Sequence, residues 1–132
     1  EWPTLAALID SGTRLLILTD HGDQAAPWLL PLTEQVRETH FQAESREDFS
    51  CALTRGSDSA QLILLNHFLT SPVAAPEVAD QVNFNPYFGE RVARCAAAYG
   101  QQPNLIAVDF YSAGDLMSVV DAANGVTRGA PN

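Results

Sequence analysis

Asn104-Leu105-Ile106-Ala107-Val108-Asp109-Phe110-Tyr111 decides how this chain is read: an apolar run with a single carboxylate set into it. Apolar runs of this length, bounded by turn residues, read as strands buried on both faces, the kind found in parallel sheets. A carboxylate in such a run is costly to desolvate. Asp109 is therefore expected to be hydrogen-bonded or paired, or to mark the end of the strand. Just ahead, Arg91-Val92-Ala93-Arg94-Cys95-Ala96-Ala97-Ala98-Tyr99-Gly100 reads as a helix stopped by glycine. Behind it, a second apolar-periodic stretch runs to Asn124-Gly125. The chain thus ends on a helix–strand–helix unit with an acid at the carboxyl end of the strand, where α/β folds build their sites.

Further out the same alternation continues. Trp2 to Gly12 opens with Pro3 and closes in glycine, with Leu5, Leu8 and Ile9 on one helical face. Arg14-Leu15-Leu16-Ile17-Leu18-Thr19-Asp20 is predicted as a buried strand, turning at His21-Gly22-Asp23. A short helix is expected around Pro27 to Leu32, and a short strand over Val36 to Phe41. Residues 43–60 look polar and irregular, with Cys51 among them. Gln61 to Leu69 reads as a strong strand. Pro72 to Pro86 is loop-rich, and Pro86 is expected to open the helix that ends at Gly100. Long connections between apolar strands favour a parallel sheet. The first element is a helix standing before its strand, as though a preceding strand belonged to it.

The 132 residues suit one small domain with a real core. Sixteen Asp and Glu against seven Lys and Arg give a formal charge of −9, which argues against a nucleic-acid surface and against docking on anionic lipid. No run approaches the roughly 18 apolar residues of a transmembrane helix. The chain opens at Glu1 without an initiator Met, so a processed or excised piece is expected, and a missing signal peptide carries no weight. Cys51 and Cys95 match no metal-ligand spacing. By themselves they read either as two unrelated buried thiols or as one disulfide. No glycine-rich phosphate loop, Gly-x-Ser-x-Gly elbow or zinc-ligand spacing occurs.

Several stretches, in this order, carry a resemblance. They are Trp2-Pro3-Thr4-Leu5 with Gly12-Thr13-Arg14-Leu15, Phe49-Ser50-Cys51, Leu64-Leu65-Asn66-His67-Phe68 and Pro103 to Tyr111, closed by Val120-Asp121 and Asn124-Gly125. Together the chain resembles the phospholipase C-like phosphodiesterases, whose bacterial-type member is phosphatidylinositol-specific phospholipase C. The resemblance implies an α/β fold of the (β/α)8 TIM-barrel type. This chain is similar to the carboxyl-terminal half of that barrel over residues 1–125, with 126–132 as a flexible tail. Strands five to eight of the barrel would lie near 14–20, 36–41, 61–67 and 104–110. Members with cysteines at the matching places are secreted, which implies a Cys51–Cys95 disulfide and a secreted or periplasmic protein.

The implied chemistry is cleavage of a phosphodiester by two histidines, a general base and a general acid. An arginine, or calcium in other members, stabilises the phosphoryl oxygens. Those groups belong to the amino-terminal strands, so this chain alone is expected to be inactive. No resident cofactor or metal is implied for it. The expected partners are the missing amino-terminal half, as a separate polypeptide or part of a longer chain, or a second copy, together with a phosphodiester or lipid-headgroup ligand. The competing expectation is a non-catalytic binding module on a degenerate barrel, holding a sugar, lipid headgroup or protein.

Residue by residue, the resemblance makes Asp109 the acid that orients the general-base histidine. Asn66 and His67 stand at the carboxyl end of a strand, where alternation sends one into the barrel and the other toward the helices. Glu38 and His40, two apart, would share a face and resemble the acid and tyrosine that line the substrate site. Tyr87 resembles part of an aromatic stretch on which the inositol ring stacks. Asp20-His21-Gly22-Asp23 has metal-ligand residue types but reads better as a strand-end turn. The arginine that holds the headgroup near His21 in the inositol-specific enzymes is missing.

Overall fold

In the computed structural model, which describes residues 2–21, 26–70 and 74–127, helices and strands follow one another along the chain. They are α1 (Leu5–Asp10), β1 (Ile17–Thr19), β2 (Leu29–Pro31), α2 (Leu32–Gln35), β3 (Val36–Thr39), β4 (Leu53–Arg55), β5 (Leu62–Asn66), α3 (Pro76–Ala79), α4 (Tyr87–Tyr99), β6 (Leu105–Ala107) and α5 (Leu116–Ala123). The fold is α/β. One mixed sheet has the order β4-β3-β5-β6, with β3, β5 and β6 parallel and β4 antiparallel to β3. The strands β1 and β2 form a separate parallel pair, with Ile17 opposite Leu29.

Register assigns the two faces of the sheet. Val36 lies opposite Leu62, Glu38 opposite Leu64, Leu64 opposite Leu105 and Asn66 opposite Ala107. These residues share one face, because side chains alternate along a strand. Ile63, Leu65 and Ile106 point to the other, where α4 and α5 lie. There Leu65, Phe88, Val92, Cys95 and Val119 form a buried cluster, flanked by Ile106, Val108 and Leu116. Each large apolar side chain fully buried contributes about 1.5–3 kcal/mol. Helix α4 supplies this core with Phe88, Arg91, Val92 and Cys95, the one-face spacing of an amphipathic helix. Gly100, at a φ of +69°, ends it in the left-handed conformation that glycine adopts without strain. The Cys51–Cys95 disulfide ties the segment before β4 to this helix. On a chain-entropy account, closing such a loop stabilises the fold by about 4 kcal/mol.

On the first face Val36, Glu38 and Asn66 are buried, but the stretch around β6 is open. Leu105 is 40% exposed, and Leu62, Leu64 and Ala107 are only half-buried. The 104–110 strand is therefore covered on one side, not on both as its apolar run suggests. A groove of about 610 Å³ opens at the amino-terminal ends of β5 and β6, lined among others by Leu5, Leu8, Leu62, Leu105, Leu116 and Val120. Helix α1 is capped by Thr4, whose hydroxyl accepts from the Ala7 amide, yet it buries no residue, and Leu5 is 76% exposed.

Three local expectations are corrected. The helix expected around Pro27 to Leu32 is a strand over Leu29–Pro31 followed by α2, and Pro31 serves as the residue before the first helical turn. Residues 43–60 are not irregular throughout. A capping box between Ser45 and Asp48 closes a 3₁₀ turn, and β4 pairs with β3. The first expected strand keeps its ladder only over Ile17–Thr19 and pairs with β2 instead of joining the larger sheet.

The loop after β6 is clamped to the loop before α4. The Asn83 amide donates to the Asp109 carbonyl (2.9 Å) and the Ala113 carbonyl (3.1 Å), and the Asp115 amide donates to the Asn83 carbonyl (2.8 Å). Gly114 crosses Asn83 so closely that a Cβ would stand 2.4 Å from the Asn83 carbonyl oxygen, at a φ of +106°. Gly114→Ala is therefore expected to destabilise by about 2–4 kcal/mol, combining backbone strain with overpacking. Gly100→Ala, in open space, is expected to cost about 1 kcal/mol. Denaturant titration of the two variants checks the contrast, and equal losses would mean that the clamp is loose.

Candidate functional site

The carboxyl ends of β1, β3 and β5 meet in a polar chain. The carboxylate of Glu38, only 4% exposed, accepts from the Arg55 Nε on one oxygen and from the Asn66 amide (3.0 Å) on the other. Arg55 Nη1 donates to Asp20 at 3.0 Å. The Asn66 amide also donates to the Thr39 carbonyl (2.7 Å), and its backbone N–H to the Thr39 hydroxyl (2.9 Å). Burial disfavours the charge on Arg55, but the bonds to Glu38 and Asp20 outweigh it and raise its pKa. A buried carboxylate in this fold is thus held by a guanidinium and an amide, as desolvation requires.

Asn66 and His67 part company as alternation demands. Asn66 joins Glu38, whereas His67 turns toward α4 and is fully buried. Its ring stacks on Phe88 (centroids 4.1 Å apart) and Phe49 (4.9 Å). Arg91 Nη1 donates to His67 Nδ1 at 2.9 Å, so Nδ1 is an acceptor and Nε2 donates to the Val82 carbonyl at 3.0 Å. Burial, with the Arg91 charge beside it, pushes the His67 pKa down to about 4. Tyr87 lies in the first turn of α4, donates to the Arg46 carbonyl (3.1 Å), and faces Phe49 and Arg46. His40 stands one residue past β3, exposed and beside Phe41, after a register shift between Glu38 and Thr39 that ends strict alternation. Of the residues singled out in the sequence, the structure brings Glu38 and Asn66 together. His67 and Tyr87 meet each other elsewhere, with ring centroids 6.1 Å apart.

Asp109 stands two residues beyond Ala107, where β6 has ended. Its carbonyl is held by Asn83. Among the described residues no hydrogen bond reaches its carboxylate, so of the alternatives its sequence posed, the strand end is the one observed. Phe110, at a φ of +52°, turns the chain immediately after it, a conformation rare for a non-glycine residue. Thr19 and His21 form a hydroxyl-supported turn (His21 N–H to Thr19 Oγ1, 3.2 Å), while Gly22 and Asp23 lie outside the described residues. Cys51 and Cys95 are joined.

Sequence reading missed Arg55, Arg91 and Asn83. Arg55 lies in a stretch that looked irregular. Arg91 was visible only as a charge within an apolar-periodic helix, an i, i+1, i+4 companion of Val92 and Cys95. That placement on the core face was the available signal.

The PI-PLC X 1 family model matches residues 1–124. A PI-PLC X domain-containing protein 1 from the fungus Arthroderma benhamiae is 28% identical over 139 residues, covering 96% of this chain and 46% of the relative. An uncharacterized secreted protein of the same fungus is 27% identical over 138 residues, covering 88% of this chain and 30% of the relative. The chain therefore spans less than half the length of these relatives. No solved structure matches it.

Burial of neutral His67 makes stability depend on pH. Its folded pKa of about 4 lies below the ordinary 6.5, so the unfolded chain binds the extra proton between those values. Stability is full above pH 6.5, falls as pH drops toward 4, and levels below. The loss is about 3 kcal/mol. The difference between wild type and His67→Gln, measured by denaturant titration from pH 7 to 4, is expected to isolate this slope from that of the carboxylates. Parallel curves would show that His67 titrates normally.

Proposed function

Since this chain belongs to the PI-PLC X family, we propose that it is the carboxyl-terminal half of a phospholipase C-like phosphodiesterase barrel, working in a secreted or periplasmic protein. In this reading β1, β3, β5 and β6 are strands five to eight, residues 1–125 are the half barrel, and the partly open sheet face is the barrel interior. An amino-terminal half, carrying the general-base and general-acid histidines, covers that face. The exposed leucines of the face and groove support this, since a sheet with an apolar face needs a second layer. The disulfide, and a relative called secreted, support the compartment.

One observation carries the catalytic assignment. Asp109 follows the last strand, two residues beyond Ala107, and its carboxylate has no hydrogen-bond partner among the described residues. A carboxylate so placed can accept from an imidazole N–H of the other half, fix its tautomer and stabilise the imidazolium formed when the histidine takes a proton from the attacking hydroxyl. Glu38 and Asn66 then form the wall on which the headgroup rests, with His40 at its rim. His67 and Tyr87 serve that wall from behind, through α4 and the Phe49 cluster.

Asp109→Asn in the full-length protein is expected to lower kcat on a phosphodiester substrate by about 10²–10⁴-fold, the range of a lost general acid–base contribution, with little change in KM. Near-normal turnover would remove Asp109 from the catalytic set. A wild-type protein that binds a lipid headgroup but turns over no phosphodiester would make the barrel a binding module. Residues 1–132 alone are expected to self-associate and to bind a hydrophobic dye. Native mass spectrometry showing a stable 14.3 kDa monomer that binds no dye would overturn the half-barrel reading.

A further inference from the structure

We propose that Arg91, buried behind the sheet, is a positioning residue: its guanidinium holds the carboxyl end of β5 so that the Asn66 side chain meets Glu38. This rests on the reading of Glu38 and Asn66 as a wall of the site. Arg91 comes from α4 and is 1% exposed. Its Nη1 donates to the Asn66 carbonyl (2.8 Å) and to His67 Nδ1 (2.9 Å), so one nitrogen grips two successive residues at the strand end.

Stability alone gives no reason for a cation here. The acceptors that its Nη groups reach are two carbonyls and an imidazole, none of them a carboxylate. Its Nε is buried without a partner among the described residues, a loss that a side chain kept for stability would not carry. An apolar side chain of similar volume would fill such a position with no charge to desolvate. What the guanidinium adds is direction. By fixing the Asn66 carbonyl it sets the peptide plane that follows Asn66, and its bond to His67 sets the next residue. In front of the sheet the Asn66 amide then reaches Glu38 at 3.0 Å and the Thr39 carbonyl at 2.7 Å, contacts that weaken steeply when their geometry drifts.

The anchor is itself held. Cys95 stands one turn beyond Arg91 on the same face of α4, and its disulfide to Cys51 keeps residues 49–51 over the guanidinium. That segment supplies the Ser50 carbonyl, 3.3 Å from Nη2, and the Phe49 ring, whose centroid lies 4.2 Å from the guanidinium carbon. Lysine at this position would present one compact ammonium, without the planar fork that meets β5 and Ser50 at once.

The test follows amide hydrogen exchange by NMR in full-length protein isotope-labelled at asparagine. The Asn66 amide, which donates to the Thr39 hydroxyl, reports the carboxyl end of β5. The Asn104 amide, which donates to the Ile63 carbonyl, reports the opposite end. Arg91→Met is expected to speed exchange at Asn66 about tenfold relative to Asn104, and Arg91→Lys about threefold, the scale of one lost hydrogen bond. Should Arg91→Met fail to fold, Arg91→Lys carries the comparison. Equal acceleration at both amides would make Arg91 merely structural and overturn the proposal, as would no change at Asn66. Turnover of a phosphodiester substrate is read separately. Arg91→Lys is expected to raise KM about fivefold and to change kcat less than about twofold, because Asp109 follows a different strand. An unchanged KM would also overturn the proposal. Absence of turnover in the wild type, beside selective loss of protection at Asn66, would overturn the enzymatic reading and leave this one standing.

Discussion

Everything in this fold hangs on the alternation of one strand. β5 is central, with a parallel neighbour on each side, and it sends Ile63, Leu65 and then His67 toward the helices while Leu62, Leu64 and Asn66 face the other way. A slip of one residue would bury the asparagine against Phe88 and Val92 and push Leu65 onto the open face. The two ladders flanking β5, and the polar bonds that Asn66 makes only in this register, exclude that slip. The strand therefore fixes the core behind the sheet and the polar chain in front of it in a single step.

Behind the sheet, the structure tolerates a charge that burial alone would forbid. Arg91 is almost fully buried, and burial pulls its pKa down to about 10, which still leaves it protonated near neutrality. Its Nη1 donates to the Asn66 carbonyl at 2.8 Å and to His67 Nδ1, its Nη2 to the Ser50 carbonyl at 3.3 Å, and its plane lies 4.2 Å from the Phe49 centroid. Carbonyl dipoles, a neutral imidazole and an aromatic face thus do the work usually done by a carboxylate. The planar fork of arginine suits this, since it meets acceptors on two elements at once. The disulfide lies next to Ser50, so the covalent tie and the guanidinium anchor the same short segment to α4. The end of β5 is held from behind by a cation and from the front by Glu38.

How much of this was legible in the sequence follows from which forces are local. The helix ending at Gly100, the strand over Leu62–Asn66 and the acid closing the last strand are written in runs of a dozen residues or fewer, and the structure has them. The family follows from scattered short matches and holds across residues 1–124. The half barrel itself is a relation to residues outside the chain, and stays a proposal. What local reading missed is instructive. Pro27 to Leu32 looks like a short helix, yet Leu29–Pro31 within it form a strand because β1 is there to pair with. Arg55 looked like loop polarity because the partners that make it structural, Asp20 and Glu38, stand 35 and 17 residues away. Strict alternation from Glu38 to His40 is interrupted by a register shift and by the end of β3 at Thr39, which no periodicity announces.

Along the open face, character changes from one end of the strands to the other. Leu62 and Leu105 stand at the amino-terminal ends and line an apolar groove, whereas Glu38, Asn66 and Asp109 stand at or beyond the carboxyl ends. Water is costly company for the first group and harmless to the second. A layer placed over this face by the hydrophobic effect would therefore seal at the leucine end and stay open at the carboxylate end. In the proposed barrel such a cavity is closed below and polar above, at the end the proposal assigns to the ligand. The division is built into the strands themselves: each apolar residue precedes its polar successor by two, four or more positions of the same parity. If the proposed barrel is completed, the register that buries this chain's core is also the one that sets Glu38 and Asn66 on the face it would contribute.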